Sequence, residues 1–332
     1  MEYRSLGSTG LKVSVLGFGC GAIGGLLVRG SYPDVRATVA RAIELGVTYF
    51  DTASLYGNGQ SEANLGAVLR ELGEAEGGRV IVGTKVRLGA DAAGRISAAV
   101  TASVEGSLRR LGRESVDLIQ FHNRMGAVSR PAQDTWSVAD LLEVAATFQR
   151  LREQGKVRFW GFTGLGDSGA ILAALQTGQL HSIQSCYNLL NPSAGRAVGP
   201  AGGSDFPYEN YSQAIDVAGA NGVAVIAIRV LAGGALAGTL DRHPVAAPTP
   251  NPIGSATDYA SDVAHAQRFR FVVDEGHADS LAEVAIRFVI SHPAVSTALV
   301  GTSNQPQLEA AVAAVERGPL PAPLLARIAA VR

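Results

Sequence analysis

Four residues of the right types for proton chemistry stand at the ends of apolar runs. Asp51 closes "VTYFD", Tyr56 lies in the "TASLYGNGQ" that follows, Lys85 ends "VIVGTK", and His122 follows "VDLIQF". A carboxylate at the end of a buried strand is costly unless paired, and Lys85 is the partner that Asp51 needs. A lysine cation beside a phenol favours the phenolate and lowers the tyrosine pKa from about 10. With Asp51 holding that lysine charged and oriented, Tyr56 becomes a proton donor or acceptor usable near neutral pH. His122 can hydrogen-bond a substrate oxygen and share in the transfer. None of these groups can carry a hydride, so a reduction at this site needs a cofactor. Taken singly each is ordinary: a strand-end aspartate caps a turn, a loop tyrosine packs, a lysine is solvated and a histidine is satisfied in a core. Together they need an architecture that brings successive strand ends to one place.

The rest of the chain supplies one. Short apolar runs alternate with amphipathic segments: "KVSVLGFGC" then "DVRATVARAIELG", "VTYFDT" then "SEANLGAVLRELG", "RVIVGTKV" then "RISAAVTASVEGSLRRLG", "VDLIQFH" then "SVADLLEVAATFQRLREQGK". The pattern continues with "VRFWGFTG" and "DSGAILAALQTG", "SIQSCYN" and "YENYSQAIDVAGANG", "VAVIAIRV" and "SLAEVAIRFVISH", "VSTALVGT" and "QPQLEAAVAAVE". About eight β–α units are the number that closes a parallel (β/α)8 TIM barrel, whose active site is built from the C-terminal ends of its strands. Near-continuous Val/Ile/Leu runs suit parallel strands covered on both faces. An open doubly wound sheet would want a glycine-rich phosphate loop after the first strand, and "GFGCGAIGG" matches that only loosely.

At 332 residues the chain fits one barrel domain over residues 1–332, with the proline-rich residues 242–258 as a loop excursion that could cover the mouth, and residues 123–137 as a second wall. A hydrophobic fraction of 47% is ample for its core, and a formal charge of -1 gives no reason to expect nucleic acid or an anionic membrane as a partner. Two cysteines, Cys20 and Cys186, exclude a disulfide framework and suit a reducing, cytoplasmic location. The opening "MEYRSLGSTGLKVS" has no apolar signal-peptide core, and no uncharged run is long enough to span a bilayer. The remaining histidines, His181, His243, His265, His277 and His292, show no metal-ligand spacing. Trp136 could wall the pocket, whereas Trp160 reads as packing within a strand.

The segments "GVTYFDTASLYGNGQSEANLG", "GTKV", "SLRRLGRESVDLIQFH" and "LREQGKVRFWGFTG" resemble the aldo-keto reductase family from about residue 1 to residue 315. "YRSLGSTGLKVSVLGFG" is similar to that family's N-terminal β-hairpin, which closes the barrel floor. The resemblance implies that Asp51, Tyr56, Lys85 and His122 take the catalytic positions, with Tyr56 as general acid–base. It also implies NADP or NAD extended across the mouth. Gln184 would bond the nicotinamide carboxamide. Thr163 and Gly164 stand where the family has Ser-Asn, so the glycine loses a side-chain bond. Ile228 stands at a position that often carries a stacking aromatic ring, and Leu231 and Gly233 lie in the loop on the pyrophosphate side. Arg229 is either an ion-pair residue or a phosphate contact, for which its fork suits. Gly301, Thr302, Ser303 and Gln307 open a helix whose amides could take the adenosine 2′-phosphate. No Lys or Arg lies between Gly301 and Glu316 to clamp that phosphate, which favours NAD tolerance. "FTGLG" is similar to the branch that oxidises aldoses such as L-galactose and L-fucose. The substrate expected is therefore an aldehyde, ketone or aldose. The alternative, from another class, is a nucleotide-sensing accessory subunit of a potassium channel, which the absence of a partner-binding N-terminal extension disfavours. The sequence sets no oligomeric state.

Overall fold

The computed structural model describes residues 1–78, 80–198, 206 and 208–331. Its first elements are short strands, β1 (Tyr3–Ser5) and β2 (Lys12–Ser14), paired antiparallel. The barrel strands follow: β3 (Leu16–Gly19), β4 (Tyr49–Asp51), β5 (Ile81–Val86) and β6 (Val116–Phe121). Two short strands, β7 (Arg124–Met125) and β8 (Thr135–Trp136), form a small ladder beyond the rim. The barrel then continues with β9 (Val157–Gly164), β10 (Ser182–Cys186), β11 (Ala224–Ile228) and β12 (Val295–Gly301). Every neighbouring pair is parallel, and β12 pairs with β3 to close the ring. The fold is the eight-stranded parallel barrel that the alternation of segments implies.

The run "KVSVLGFGC" proves to be two elements, because the chain bends at Val15 between the hairpin strand β2 and the barrel strand β3. The hairpin closes the floor. Leu6 and Val13 pack with Tyr49, Ile81, Leu118, Ala224 and Ile226 in a separate apolar cluster at the barrel's base. Arg4 ties the hairpin down by donating to the carbonyls of Val295 and Ile290, both at 2.9 Å. The strands β5 and β6 are buried at all positions, as expected for strands with helices outside and side chains inside.

A helix follows each barrel strand, and local chemistry starts several of them. Ser31 caps Tyr32–Glu44, Asp167 caps Ser168–Leu175, and Ser137 with Asp140 forms a reciprocal capping box on Val138–Glu153. "YENYSQAIDVAGANG" gives only the short helix Ala214–Ala220, since Ser212 and Gln213 take left-handed backbone conformations just before it. Among the described residues no helix is long and apolar enough to cross a membrane.

Candidate active site

Parallel register sets the site. Asp51 pairs with Gly19 on one side and Gly83 on the other, so the ends of β3 and β4 lie level while β5 runs on past them to Val86. On β5 the alternation is plain: Gly83 and Lys85 point inward, while Thr84 points out and donates to the buried Glu62 at 2.5 Å. Lys85 Nζ reaches back to Asp51 Oδ1 and to the Thr52 carbonyl at 2.8 Å. Both members of this ion pair are 1% exposed. Asp51 Oδ2 accepts from Tyr49 Oη at 2.9 Å and from Gln184 Nε2 at 2.6 Å. The carboxylate is therefore paired on both oxygens, as a buried charge must be.

The loop after β4 delivers Tyr56. Thr52 N donates to the Gly83 carbonyl at 2.8 Å, and the hydroxyls of Thr52 and Ser61 bond at 2.8 Å. Ser61 Oγ also donates to the Cys20 carbonyl at 2.8 Å, which ties this loop to the end of β3. The turn "YGNGQ" runs through left-handed backbone at Gly57, Asn58 and Gly59. At Gly59 a side chain is barred as well, because a Cβ would lie 2.5 Å from Cδ of Arg110. Arg110 in turn donates to the buried Glu62 at 2.6 Å, so a half-buried ion pair braces the loop from behind.

Lys85 Nζ lies 4.7 Å from the centroid of the Tyr56 ring, and the His122 ring stands edge-on to the same ring at 6.1 Å. The four residues that the sequence singled out do converge. The electrostatics differ from expectation in one respect. The Tyr56 hydroxyl is held above its ordinary pKa: burial dominates, the Lys85 cation pulls the other way, and Asp51 partly cancels it. For Lys85, burial works against the charge, but Asp51 and Tyr56 outweigh it and the ammonium pKa ends above its usual value. His122 is pushed down to about 3, chiefly by burial and then by the charges of Lys85 and Arg87. It is a neutral ring that can donate or accept a hydrogen bond.

These residues open into a cavity of about 490 Å³ bounded by the ends of β3, β9, β11 and β12. Asp51, Tyr56, His122, Thr163, Gln184, Ile228, Arg229, Leu231, Gly233, Gly301, Thr302, Ser303 and Gln307 all line it. Gly164 does not: alternation along β9 turns it outward, where a Cβ would lie 2.7 Å from Cδ1 of Ile183. Gln184, expected to face a carboxamide, spends its amide nitrogen on Asp51. Arg229 has a left-handed backbone, φ 57°, and its Nη1 donates to the Asn251 carbonyl at 3.1 Å. No ion pair to a carboxylate forms at Arg229 among the described residues. Helix Gln305–Glu316 is capped by Asn304, whose side chain accepts from Gln307 N at 3.0 Å. Gln307 Oε1 in turn accepts from Ser303 N at 2.8 Å. The amides expected to take a phosphate are thus partly occupied by the chain itself.

The excursion over residues 242–258 reaches the mouth. Arg242, His243, Ala246 and Ile253 line the cavity, and Ala247 N donates to the Ile23 carbonyl at 2.9 Å. Residues 123–137 contribute nothing to the lining, and Trp136 is buried edge-on against Phe121 rather than in the pocket wall. Cys20 and Cys186 are buried core residues, and Trp160 packs within β9. Contributors that the sequence did not single out by residue include Tyr49 and Arg242. Tyr49 was legible in principle, since period two places it on the same face of β4 as Asp51. Arg242 was not, because it reaches the cavity only through loop folding.

Three buried polar atoms in this cavity lack a partner among the described residues: Thr163 Oγ1, His122 Nδ1 and Thr302 Oγ1. Buried polar groups are satisfied in native proteins. With the apolar Ile228 and Leu231 and the charged Arg229 in the same wall, the lining fits a flat heteroaromatic ring joined to phosphates. No group of three or more His, Cys, Asp or Glu able to hold a metal occurs among the described residues.

The aldo/keto reductase family model matches residues 15–332. The chain is 30% identical over 321 residues to L-galactose dehydrogenase of Arabidopsis thaliana, covering 95% of this chain and 88% of that one. It is 32% identical over 213 residues to the aldo-keto reductase YhdN of Bacillus subtilis, covering 60% of this chain and 58% of the relative. In structure it is similar to the aldo-keto reductase AKR11C1 from Bacillus halodurans in its holo form, with a TM-score of 0.73, 25% identity and coverage of 100% and 96%. A family match over nearly the whole chain, joined to a closed parallel barrel with an Asp51–Lys85 pair beneath a tyrosine, shows that the chain belongs to the aldo/keto reductase family of oxidoreductases.

Proposed function

We propose that the protein is an NAD(P)-dependent oxidoreductase acting on the carbonyl or alcohol carbon of an aldehyde, ketone or aldose. The observation that carries this reading is the placement of Tyr56 between the Lys85 cation and the neutral His122 ring at the edge of the cavity. A bound nicotinamide cofactor supplies hydride transfer. The chain's own residues do the rest. Tyr56 gives a proton to the substrate oxygen in reduction and takes it in oxidation. Lys85 stabilises the phenolate side of that exchange, and Asp51 keeps Lys85 charged. His122 orients the substrate oxygen by hydrogen bonding. Thr163, Gln184, Ile228, Leu231 and Gly233 would hold the nicotinamide end, and Arg229 would face the phosphates.

Two observations favour NAD and an aldose. Gln307 and Asn304 occupy amides at the start of the last barrel helix, and no basic residue lies in residues 301–316. A 2′-phosphate would meet no cation there. The plant relative with near-full coverage is named as an L-galactose dehydrogenase. Titrating NADH and NADPH by protein fluorescence should show NADH binding at least as tightly as NADPH. A panel of L-galactose, L-fucose and other aldoses with NAD should then give saturable turnover. Binding of neither nucleotide would sink the reading, and so would turnover unchanged by Tyr56→Phe; a strong NADPH preference would remove the NAD assignment alone. Saturable, Tyr56-dependent turnover would also dispose of a purely nucleotide-sensing accessory role.

The pH dependence follows from the same geometry. His122 is held neutral at about 3, so it contributes no ionisation near its ordinary value of 6.5. Tyr56 is held above its ordinary value, so oxidation should still be rising through the alkaline range, where the phenolate forms. A profile of kcat/KM from pH 5 to 10 should therefore lack an inflection near neutrality. An inflection at pH 6–7 that vanishes in His122→Gln would contradict the neutral ring.

A further inference from the structure

Tyr49 is fully buried, two residues before Asp51 and on the same face of β4. Its ring belongs to the apolar cluster under the barrel, against Leu6 and Val13 of the floor hairpin. A phenylalanine would satisfy that packing. The hydroxyl is extra, and a buried hydroxyl is costly unless it is used. It is used: Oη donates to Asp51 Oδ2 at 2.9 Å, beside the amide of Gln184 at 2.6 Å. The barrel makes room for it. A Cβ at Gly83 would lie 2.5 Å from Tyr49 Oη and 3.1 Å from two of its ring carbons. Gly83 is also the residue that pairs with Asp51 across the β4–β5 ladder. The hydroxyl and the missing side chain opposite it form one arrangement, with the floor hairpin below and the carboxylate above.

We propose that Tyr49 is a positioning residue for the reaction: through its hydrogen bond it fixes the plane and shares the charge of Asp51, and so sets where Lys85 holds its charge under Tyr56, with Gly83 kept bare to admit the hydroxyl. This rests on Tyr56 being the proton-transfer group. Burial, and next the Asp51 charge, keep the Tyr49 phenol well above its ordinary pKa, so it remains a donor throughout the working range. Without it the Asp51 charge is less shared, and that charge raises the Tyr56 pKa. The limb of the pH profile belonging to Tyr56 therefore moves to higher pH, in whichever direction the reaction is run.

The test uses the full chain, reducing 4-nitrobenzaldehyde with the nucleotide it prefers. Tyr49→Phe should lower kcat on the order of 10-fold, the scale of one hydrogen bond to a charged group, with the nucleotide KM unchanged and the alkaline limb displaced upward. Gly83→Ala, which pushes a methyl into Tyr49 Oη, should reproduce the loss. Adding Gly83→Ala to Tyr49→Phe should cost less than Gly83→Ala does alone, because the closest clash, with Oη, is gone and only the two ring contacts at 3.1 Å remain. If Tyr49→Phe does not fold, Gly83→Ala alone carries the test through the same limb. An unmoved limb with unchanged kcat in Tyr49→Phe, or strictly additive losses in the double variant, would overturn the proposal. Tyr56→Phe measured alongside separates the two readings: if it too retains activity, the role of Tyr56 fails; if it alone is inactive, only the role of Tyr49 fails.

Discussion

Tyr56→Phe is expected to lower kcat by about 10³-fold, within the range of about 10²–10⁴ that one positioned acid–base group contributes. The substitution removes one oxygen and little else. The ring keeps its place over the Lys85 ammonium and edge-on to His122. The loop that carries it is held by the Thr52–Ser61 hydroxyl pair, the Ser61 bond to Cys20 and the Glu62–Arg110 ion pair, none of which involves the phenol oxygen. Nucleotide affinity and Tm should therefore stay close to the parent values. Steady-state rates, a fluorescence titration and a melting curve on the same preparation check all three. A variant keeping more than about a tenth of the parent kcat would move proton transfer off Tyr56, and His122, neutral as it is, would have to be reconsidered.

Lys85→Met should do more damage, because it acts on stability as well as on rate. Lys85 and Asp51 are each 1% exposed, so removing the ammonium leaves a carboxylate in the barrel without its counter-ion. Breaking one side of a buried pair costs about 3–5 kcal/mol. The donors Tyr49 and Gln184 remain on Oδ2, which argues for the lower end of that range. At about 2 °C per kcal/mol for a chain of this size, the lower end corresponds to a fall in Tm of about 6 °C. The rate should fall at least as far as in Tyr56→Phe, since the phenol would keep its burial and the Asp51 charge but lose the one influence that lowers its pKa appreciably. Adding Asp51→Asn should recover part of the Tm, because the stranded charge is removed, and none of the rate. A Lys85→Met variant as stable as the parent would mean that the Asp51–Lys85 pair contributes nothing net to stability.

Much of this was legible one residue at a time. The strand runs ending in Asp51, Lys85 and His122 appear where the alternation places them, because a parallel strand buried on both faces leaves an unmistakable apolar run and its polar terminus stands out. Two helix starts coincide with the runs quoted, at Ser137 and Asp167, since capping is a contact between residues three apart, whereas "DVRATVARAIELG" begins inside a helix that Ser31 caps. The end of helix Tyr32–Glu44 reads directly from Gly46, which takes the left-handed conformation that glycine favours. Where reading failed, the cause was distance along the chain. Tyr56 was expected below its ordinary pKa from its nearest charge, but burial, which no local pattern reports, outweighs Lys85. Gln184 lines the cavity, but no local pattern shows that its amide also donates to Asp51, 133 residues away in sequence.

By itself, then, the sequence determined the β/α alternation and the chemical identity of the four converging groups, since these follow from period and residue type within a short window, and its motifs carried the resemblance to the family. Only the tertiary structure decided how those groups are charged and what supports them. It turned Gly164 outward, brought Arg242 across the mouth, filled the Gln307 helix start with its own side chains, and set a second tyrosine beneath Asp51. Burial and ring closure are properties of the whole barrel, and the free energy of a buried charge depends on every neighbour that closure brings to it.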